Sequence, residues 1–368
     1  MMDFSHQSYM LRAIELANQG GVYTKPNPNV GCVIVSRCGE IISEGYHRLY
    51  GGPHAEIEAI QYASFLERDI RGSIVYVTLE PCSHYGKTGP CADVLIKAAV
   101  AKVFIALEDP NPEVSGMGIK ELRQAGISVE IGLCADQAEE LNLGFLKRHR
   151  QGLPFVRTKI ASSIDGKTAM ASGESKWITN ETSRADVQVM RAQSGAIITG
   201  MGTVIADDPR LTARPLNYHY GFKQPYRIVI DKNLDIPLCA NVIGNDGLCI
   251  VVTQTENTKK INDLSELSVK VLQLDFSDAG KMLRGVLKYL ATISVNDVMV
   301  ESGPKLVSQF IKFKLLDELV VYMAPFLMGS SANSMTNIEL ETMAQRIQYK
   351  LQLVEQFGSD IKCIYRFL

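Results

Sequence analysis

The chain has no surplus charge of either sign: 38 Lys and Arg face 40 Asp and Glu, a formal net charge of −2. That balance gives no electrostatic reason to expect a nucleic-acid binder. A membrane-length apolar run is missing too. The longest charge-free stretch, 319–338, is broken by Pro325, Gly329, Ser330, Ser331, Asn333 and Ser334, and its apolar part stops after about ten residues, short of the ~20 that span a bilayer. Met1-Met2-Asp3-Phe4-Ser5-His6 lacks the basic start and apolar core of a secretory signal, so a cytoplasmic location is expected. Framework cysteine spacing is also lacking. The eight cysteines are scattered, which in a reducing compartment leaves buried thiols or metal ligands. Cys32, Cys134, Cys239, Cys249 and Cys363 read as buried thiols. What is present is globular: 46% hydrophobic and 21% charged residues over 368 positions exclude general disorder and exceed the ~250–300 residues that one core supports.

Apolar positions Met10, Ala13, Ile14 and Ala17 recur at helical spacing and predict an opening helix. Residues 30–36 and 41–47, rich in Val and Ile and joined through Gly39, predict a hairpin. Helical patterns near 54–67, 90–98 and 117–124 then alternate with apolar runs at 73–79, 102–107 and 127–131, the pattern of a sheet covered by helices. A last helix over 136–148 leads into Lys147-Arg148-His149-Arg150 and Gln151-Gly152-Leu153-Pro154. The domain boundary is placed there, giving domains 1–150 and 151–368. The second half restarts with strands at 155–161, 195–199, 226–230, 248–252 and 297–300 and helices near 181–192, 279–290 and 304–313, again α/β. Residues 330–337 read as a loop, and 330–368 offer no usable motif.

Three features of the first half carry chemistry: His54-Ala55-Glu56, Pro81-Cys82 and Cys91. One His and two Cys supply three tetrahedral zinc ligands and leave a fourth position open, the arrangement of a catalytic site and not of a closed structural one. Glu56, just past His54 at a helix start, is placed to shuttle a proton from a water whose pKa the metal lowers. The order His-x-Glu then Pro-Cys-x-x-Cys marks zinc nucleobase deaminases. Here the second spacing is Pro-Cys-x8-Cys, and the added loop Ser83 to Pro90 must run along the pocket. Each of these residues alone would read as a buried His or thiol; together they favour catalytic zinc.

These features and several further stretches resemble the bifunctional riboflavin-biosynthesis family RibD, a pyrimidine deaminase fused to a pyrimidine reductase. The stretches are Pro26-Asn27-Pro28-Asn29-Val30-Gly31, His54-Ala55-Glu56, Thr78-Leu79-Glu80-Pro81-Cys82-Ser83-His84 with Gly86-Lys87-Thr88, Ser162-Ser163-Ile164-Asp165-Gly166-Lys167, Ser172 to Thr179, and Ala206-Asp207-Asp208-Pro209. They span both halves. The resemblance implies an N-terminal cytidine-deaminase-like three-layer α/β/α domain and a C-terminal dihydrofolate-reductase-like α/β domain. It implies one zinc per chain, deamination of a diaminopyrimidine ribosyl phosphate by the first domain, and reduction of the product's ribosyl group to ribityl with NADPH by the second. Asn27, His47, His84 and Lys87 would contact the deaminase substrate, with Lys87 facing its phosphate. The implied partners are therefore small phosphoribosyl pyrimidines, with no nucleic acid and no membrane, and a homo-oligomer is expected.

The reductase half has no Gly-x-Gly-x-x-Gly: Gly116-Met117-Gly118 and Gly200-Met201-Gly202 both lack the third glycine. Residues 298–300 followed by Glu301-Ser302-Gly303-Pro304 read as strand, turn and helix start. On residues alone this is an ordinary connection; with the resemblance, Gly303, Pro304, Lys305, Leu306, Val307, Ser308 and Gln309 become the stretch whose free N–H groups hold the cofactor pyrophosphate. The resemblance likewise places Ala161, Trp177, Thr203 and Asp207 at the cofactor. It places Lys159, Ser175, Arg191, Leu211, Arg214 and Glu301 at the sugar phosphate, which suits the bidentate guanidinium. Without it Trp177 would be core packing and Asp207-Asp208-Pro209 a turn. Asp207 and Glu301 rank above Lys159 for the proton that accompanies reduction. Two rivals remain open: a nucleic-acid deaminase with an accessory domain, and a non-enzymatic module with structural zinc and a nucleotide-sensing second half.

Overall fold

The computed structural model describes residues 5–83, 89–112, 114–216 and 221–367, so His84 and Lys87 lie outside the described residues. Two compact units divide the chain, Met1–Gly152 and Leu153–Leu368.

The first unit runs α1 (His6–Asn18), β1 (Gly31–Val35), β2 (Ile41–Tyr46), α2 (Ala55–Phe65), β3 (Ile74–Val77), α3 (Cys91–Lys97), β4 (Lys102–Ile105), α4 (Met117–Gln124), β5 (Ser128–Ile131), α5 (Ala135–Leu141) and α6 (Leu143–Gln151). Its sheet has the order β2-β1-β3-β4-β5, antiparallel across β2, β1 and β3 and parallel across β3, β4 and β5. Side chains alternate across a strand, and β1 is buried on both faces. Cys32 and Ile34 pack with Ala55, Ala59, Leu95 and Leu122 of α2, α3 and α4, while Val33 and Val35 pack with Met10, Ala13 and Ala138 of α1 and α5. The result is three layers. Two glycines permit the contact: a Cβ on Gly31 would lie 1.9 Å from the Ala13 carbonyl, and one on Gly45 would lie 2.4 Å from the Ala59 nitrogen.

One expected helix, 136–148, is two. Asn142 adopts φ −135° and ψ 28° between α5 and α6, and its carboxamide pairs with the backbone of Asn29 instead of continuing the helix.

The second unit runs β6 (Phe155–Ser163), β7 (Lys167–Ala169), α7 (Glu181–Gln193), β8 (Ala196–Gly200), α8 (Met201–Asp207), β9 (Tyr226–Ile230), β10 (Cys249–Thr253), α9 (Thr258–Glu266), β11 (Lys270–Gln273), α10 (Ala279–Thr292), β12 (Asp297–Val300), α11 (Pro304–Lys312), β13 (Glu318–Ala324), β14 (Asn333–Ser334), β15 (Tyr349–Phe357) and β16 (Asp360–Phe367). A nine-stranded sheet has the order β11-β10-β9-β8-β12-β6-β13-β16-β15, parallel from β11 through β13 and closed by the antiparallel pair β16 and β15. One face carries Val156, Ile160, Val298 and Val300 against α10 and α11. The other carries Ile197, Val229, Met299 and Tyr322 against α7, α8 and α9.

Residues 330–368, featureless in sequence, hold β14 and the long β15–β16 hairpin. The hairpin was illegible because β15 is an edge strand with no buried residue, so its pattern carries no core-facing alternation. Two of the cysteines expected as buried thiols are not: Cys239 is exposed and Cys134 only half-buried, because Cys239 sits in a surface turn and Cys134 caps α5.

Candidate functional site

In the first unit, β3 ends below a short extended segment carrying Glu80, Pro81 and Cys82, while His54 caps α2 and Cys91 opens α3. His54 Nδ1 lies 3.5 Å from Cys82 Sγ and 3.4 Å from Cys91 Sγ, and the three ligand atoms fall within 4.8 Å of one another. Zn–S bonds of about 2.3 Å and a Zn–N bond of about 2.0 Å in tetrahedral geometry require N to S separations of about 3.5 Å. The donor set therefore fits zinc, with one position left over. Cys91 N–H donates to Cys82 Sγ at 3.4 Å and Ala92 N–H to the Cys82 carbonyl at 3.1 Å, so the start of α3 grips that ligand. The thiol of Cys82 is pushed down to about 4, by its hydrogen bond with Cys91 first and by His54 after it.

Glu56, in the first turn of α2, is 3% exposed, and burial pushes its carboxyl above the usual range. A carboxyl held this way exchanges a proton closer to neutral pH. Beside the metal ligands, the His47 ring meets the His54 ring edge-on at 5.5 Å. His47 Nδ1 donates to the Pro53 carbonyl at 2.9 Å, which leaves Nε2 to accept from Asn27 Nδ2 at 3.3 Å. Burial lowers the His47 pKa, so the ring is held neutral in one tautomer. The structure thus brings His54, Glu56, Cys82, Cys91, His47 and Asn27 into one site.

In the second unit, Glu301 follows β12 and Arg191 lies in the last turn of α7. Arg191 Nε and Nη2 donate to the two Glu301 oxygens at 2.6 and 2.8 Å, and Nη1 donates to the Thr212 carbonyl at 3.2 Å. Burial alone would push the Glu301 carboxyl up, yet Arg191, with Lys159 behind it, holds it below the usual range. The Lys159 ammonium, on β6, has no hydrogen bond or ion pair among the described residues, and burial lowers its pKa. Arg214 donates from Nη1 to Thr212 Oγ1 at 3.2 Å. Arg191, Glu301 and Lys159 form one charged cluster, and Arg214 adjoins it through Thr212.

The expected cofactor residues are placed less uniformly. Trp177 is 70% exposed, with the Arg184 guanidinium 4.5 Å from its ring centre. Lys176 Nζ lies 3.7 Å from Asp207, at the end of α8. Asp208 is committed to a turn, accepting from Asn241 N–H at 2.8 Å. A Cβ on Gly200 would lie 3.6 Å from Ser302 Oγ and 3.7 Å from Leu306 Cδ2, so the Gly200 and Gly303 turns are neighbours. Gly303 caps α11 with Pro304 at its first turn, and that turn exposes N–H groups without intrahelical acceptors. Leu306, Val307 and Leu211 are core residues, and Ser308 Oγ accepts the Asn337 N–H at 2.7 Å; what these positions can offer a ligand is backbone. Ala161 and Thr203 lie on β6 and α8, and Ser175 in the segment before α7.

Sequence reasoning left Glu80 without a role, although it stands in the stretch quoted for the resemblance. Its buried carboxylate accepts the N–H groups of Asp109, Gly116 and Ile119 at 3.2, 3.0 and 3.2 Å, fastening the Cys82 segment to the start of α4. Gly118 lets this happen, since a Cβ there would lie 2.0 Å from the Pro81 carbonyl. Gln188 and Gln224 were missed as well. Gln188 Oε1 accepts the Arg214 N–H at 3.0 Å, and Gln224 makes two 2.9 Å bonds to the backbone of Ala213. Gln188, one turn before Arg191, had a positional signal on α7; Gln224 had none.

Comparison with known proteins places both units. Residues 4–107 match the cytidine and deoxycytidylate deaminase zinc-binding region, and residues 154–363 match the RibD C-terminal domain. The riboflavin biosynthesis protein RibD of Escherichia coli (strain K12) is 42% identical over 367 residues, covering 97% of this chain and 98% of that protein. The one from Haemophilus influenzae is 43% identical, covering 99% of each. Among solved structures, Acinetobacter baumannii RibD (form 1) superposes with a TM-score of 0.90 at 45% identity over 98% of both chains. A Thermotoga maritima structure described as a diaminohydroxyphosphoribosylaminopyrimidine deaminase/5-amino-6-(5-phosphoribosylamino)uracil reductase superposes with a TM-score of 0.84 at 33% identity over 98% of both. With a zinc-deaminase site in one unit, a reductase domain in the other and near-complete coverage, the chain belongs to the RibD family of riboflavin-biosynthesis proteins.

Proposed function

We propose that the first unit hydrolytically deaminates 2,5-diamino-6-ribosylamino-4(3H)-pyrimidinone 5′-phosphate. The second unit then reduces the ribosyl group of the resulting 5-amino-6-(5-phosphoribosylamino)uracil to ribityl. The observation that carries the reading is the juxtaposition of His54, Cys82 and Cys91 within 4.8 Å, with the buried Glu56 in the first turn of the helix that His54 caps. Zinc held by these three supplies a Lewis acid that makes water acidic enough to lose a proton near neutral pH. Glu56 takes that proton and hands it to the departing amino group. The neutral His47 ring fixes the Asn27 amide, whose remaining N–H and Oδ1 are assigned as donor and acceptor to the pyrimidine with His47 alongside, and Lys87 is assigned to its phosphate.

In the second unit NADPH supplies the reducing electrons as hydride. The first turn of α11 and the Gly200 turn offer backbone to its pyrophosphate, with Trp177, Ala161, Thr203 and Asp207 assigned alongside. Arg191 and Arg214, with Ser175 and the backbone of Leu211, are assigned to the sugar phosphate. Glu301 is a poor proton donor, because it is held ionised and both of its oxygens are bonded to Arg191. Lys159 is better suited: its ammonium is without a hydrogen-bond partner among the described residues, and its pKa is lowered by burial. This sets Lys159 above Glu301 for that proton and leaves Asp207 a candidate beside the cofactor.

No helix among the described residues is long and apolar enough to cross a membrane, and we assign the protein to the cytoplasm. A homo-oligomer is assigned as well, supported by the exposed apolar edge strand β15, on which Leu351, Leu353 and Val354 are 51%, 41% and 56% exposed. The reading is tested by Lys159→Met: NADPH oxidation on supplied aminouracil phosphate should stop while ammonia release from the diaminopyrimidine continues. Undiminished NADPH oxidation would return the proton to Asp207 or Glu301.

A further inference from the structure

An asparagine between two helices normally turns its carboxamide onto the first-turn N–H groups of the helix it precedes. Asn142 follows α5 and precedes α6, yet makes no such cap bond. The residue is only 8% exposed and its carboxamide is spent elsewhere: Oδ1 accepts the Asn29 N–H and Nδ2 donates to the Asn29 carbonyl, both at 2.8 Å. This is the pairing one strand residue offers another, made by a side chain. It takes both backbone groups of a single residue in the segment that carries Asn27.

The segment is held at further points. Thr24 Oγ1 donates to Asn29 Oδ1 at 2.8 Å, and the Asn27 N–H donates to the Thr24 carbonyl at 2.9 Å. The carbonyl of Val30, the residue after Asn29, accepts the His47 N–H at 2.9 Å. The clamped backbone is therefore continuous on one side with Asn27 and bonded on the other to His47, whose rings and amides meet beside His54.

We propose that Asn142 is a positioning residue of the deaminase: planted in a helix break, it fixes the backbone of Asn29 and through it the placement of Asn27 and His47 against the substrate. The inference rests on the reading of Asn27 and His47 as substrate contacts. Asn142 touches neither zinc ligands nor Glu56, so its loss acts on recognition and leaves proton transfer in place.

The experiment compares Asn142→Ala, Asn142→Asp, Asn27→Ala and the Asn142→Ala/Asn27→Ala pair in the full chain, reading zinc content, ammonia-release kinetics and amide exchange over residues 22–35. Losing two buried hydrogen bonds to one loop should raise KM about tenfold with kcat changed less than about threefold. Zinc should stay stoichiometric, and amide exchange should quicken in that segment. Asn142→Asp keeps the acceptor but sets a carboxylate oxygen against the Asn29 carbonyl, and should raise KM at least as far as Ala. The double variant should be little worse than Asn27→Ala, because the two act in series. If Asn27→Ala raises KM and both Asn142 variants do not, the positioning role is wrong and the substrate reading stands. If Asn27→Ala leaves KM unchanged, the substrate reading fails and takes the inference with it. Loss of zinc or of kcat in Asn142→Asp would make the residue a support of the metal site, which also overturns the proposal.

Discussion

Replacing Glu301 by Gln removes the carboxylate that receives two donations from Arg191 at 2.6 and 2.8 Å and is the charge that opposes Lys159. Two cations then face each other without a counter-ion. Removing one partner of a buried pair costs about 3–5 kcal/mol. Arg191 and Glu301 side chains keep 14% and 12% exposure, which places the cost near about 3 kcal/mol. At roughly 2–4 °C per kcal/mol for a unit of this size, the melting temperature of the second unit should fall by about 6–12 °C. Because the folded Glu301 carboxyl lies below its ordinary value, its contribution is present above the unfolded value. It is lost only as pH falls from there through the lower folded value. The parent should therefore lose this stability on acidification in that window, and Glu301→Gln should lack that part of the pH dependence. Calorimetry at pH 7 and across the acid range, with NADPH oxidation in parallel, reads both. A drop of less than about 2 °C, or an equal drop in the deaminase unit, would refute the reasoning. Arg191→Met with Glu301→Leu should recover much of the melting temperature without recovering reduction.

The other predictions concern the first unit. Glu56→Gln should retain zinc and lose about 10²–10⁴ in deaminase turnover, since an amide carries no proton, while reduction of supplied aminouracil phosphate persists; near-normal ammonia release would end its assigned role. Cys82→Ser and Cys91→Ser should each lose zinc and deamination, and elemental analysis finding full zinc in both would defeat the ligand set. Gly118→Ala should lower zinc retention and the melting temperature of the first unit, because its Cβ would stand 2.0 Å from the Pro81 carbonyl and displace the Cys82 segment; unchanged zinc affinity would show that α4 does not hold that ligand.

The zinc site was legible because its chemistry is local: His54, Glu56, Cys82 and Cys91 are residue types with few other reasons to share such an order. The strands of both units, alternating with helices, were legible from apolar runs; the burial of β1 on both faces and the parallel pairing of the second sheet came from the structure. What sequence could not show were contacts between polar side chains and distant backbone. Asn142 reads as an ordinary helical position, since nothing within α5 and α6 announces a partner 113 residues away. Glu80 had no role of its own in sequence, because the three N–H groups of the 109–119 segment that converge on it are distant along the chain. The Arg191–Glu301 pair spans 110 residues, so two residues expected to face a phosphate turned out to be spent largely on each other. β15 was missed for the opposite reason: an exposed edge has no buried face to pattern.

The most direct measurement supplies the purified chain with the diaminopyrimidine ribosyl phosphate, with and without NADPH, and identifies the products by mass. Without NADPH the account predicts ammonia and the aminouracil ribosyl phosphate; with it, the same ammonia and a ribityl product two mass units heavier than that intermediate. Reduction without deamination, deamination with no NADPH-dependent gain in mass, or an unchanged substrate in both arms would contradict it.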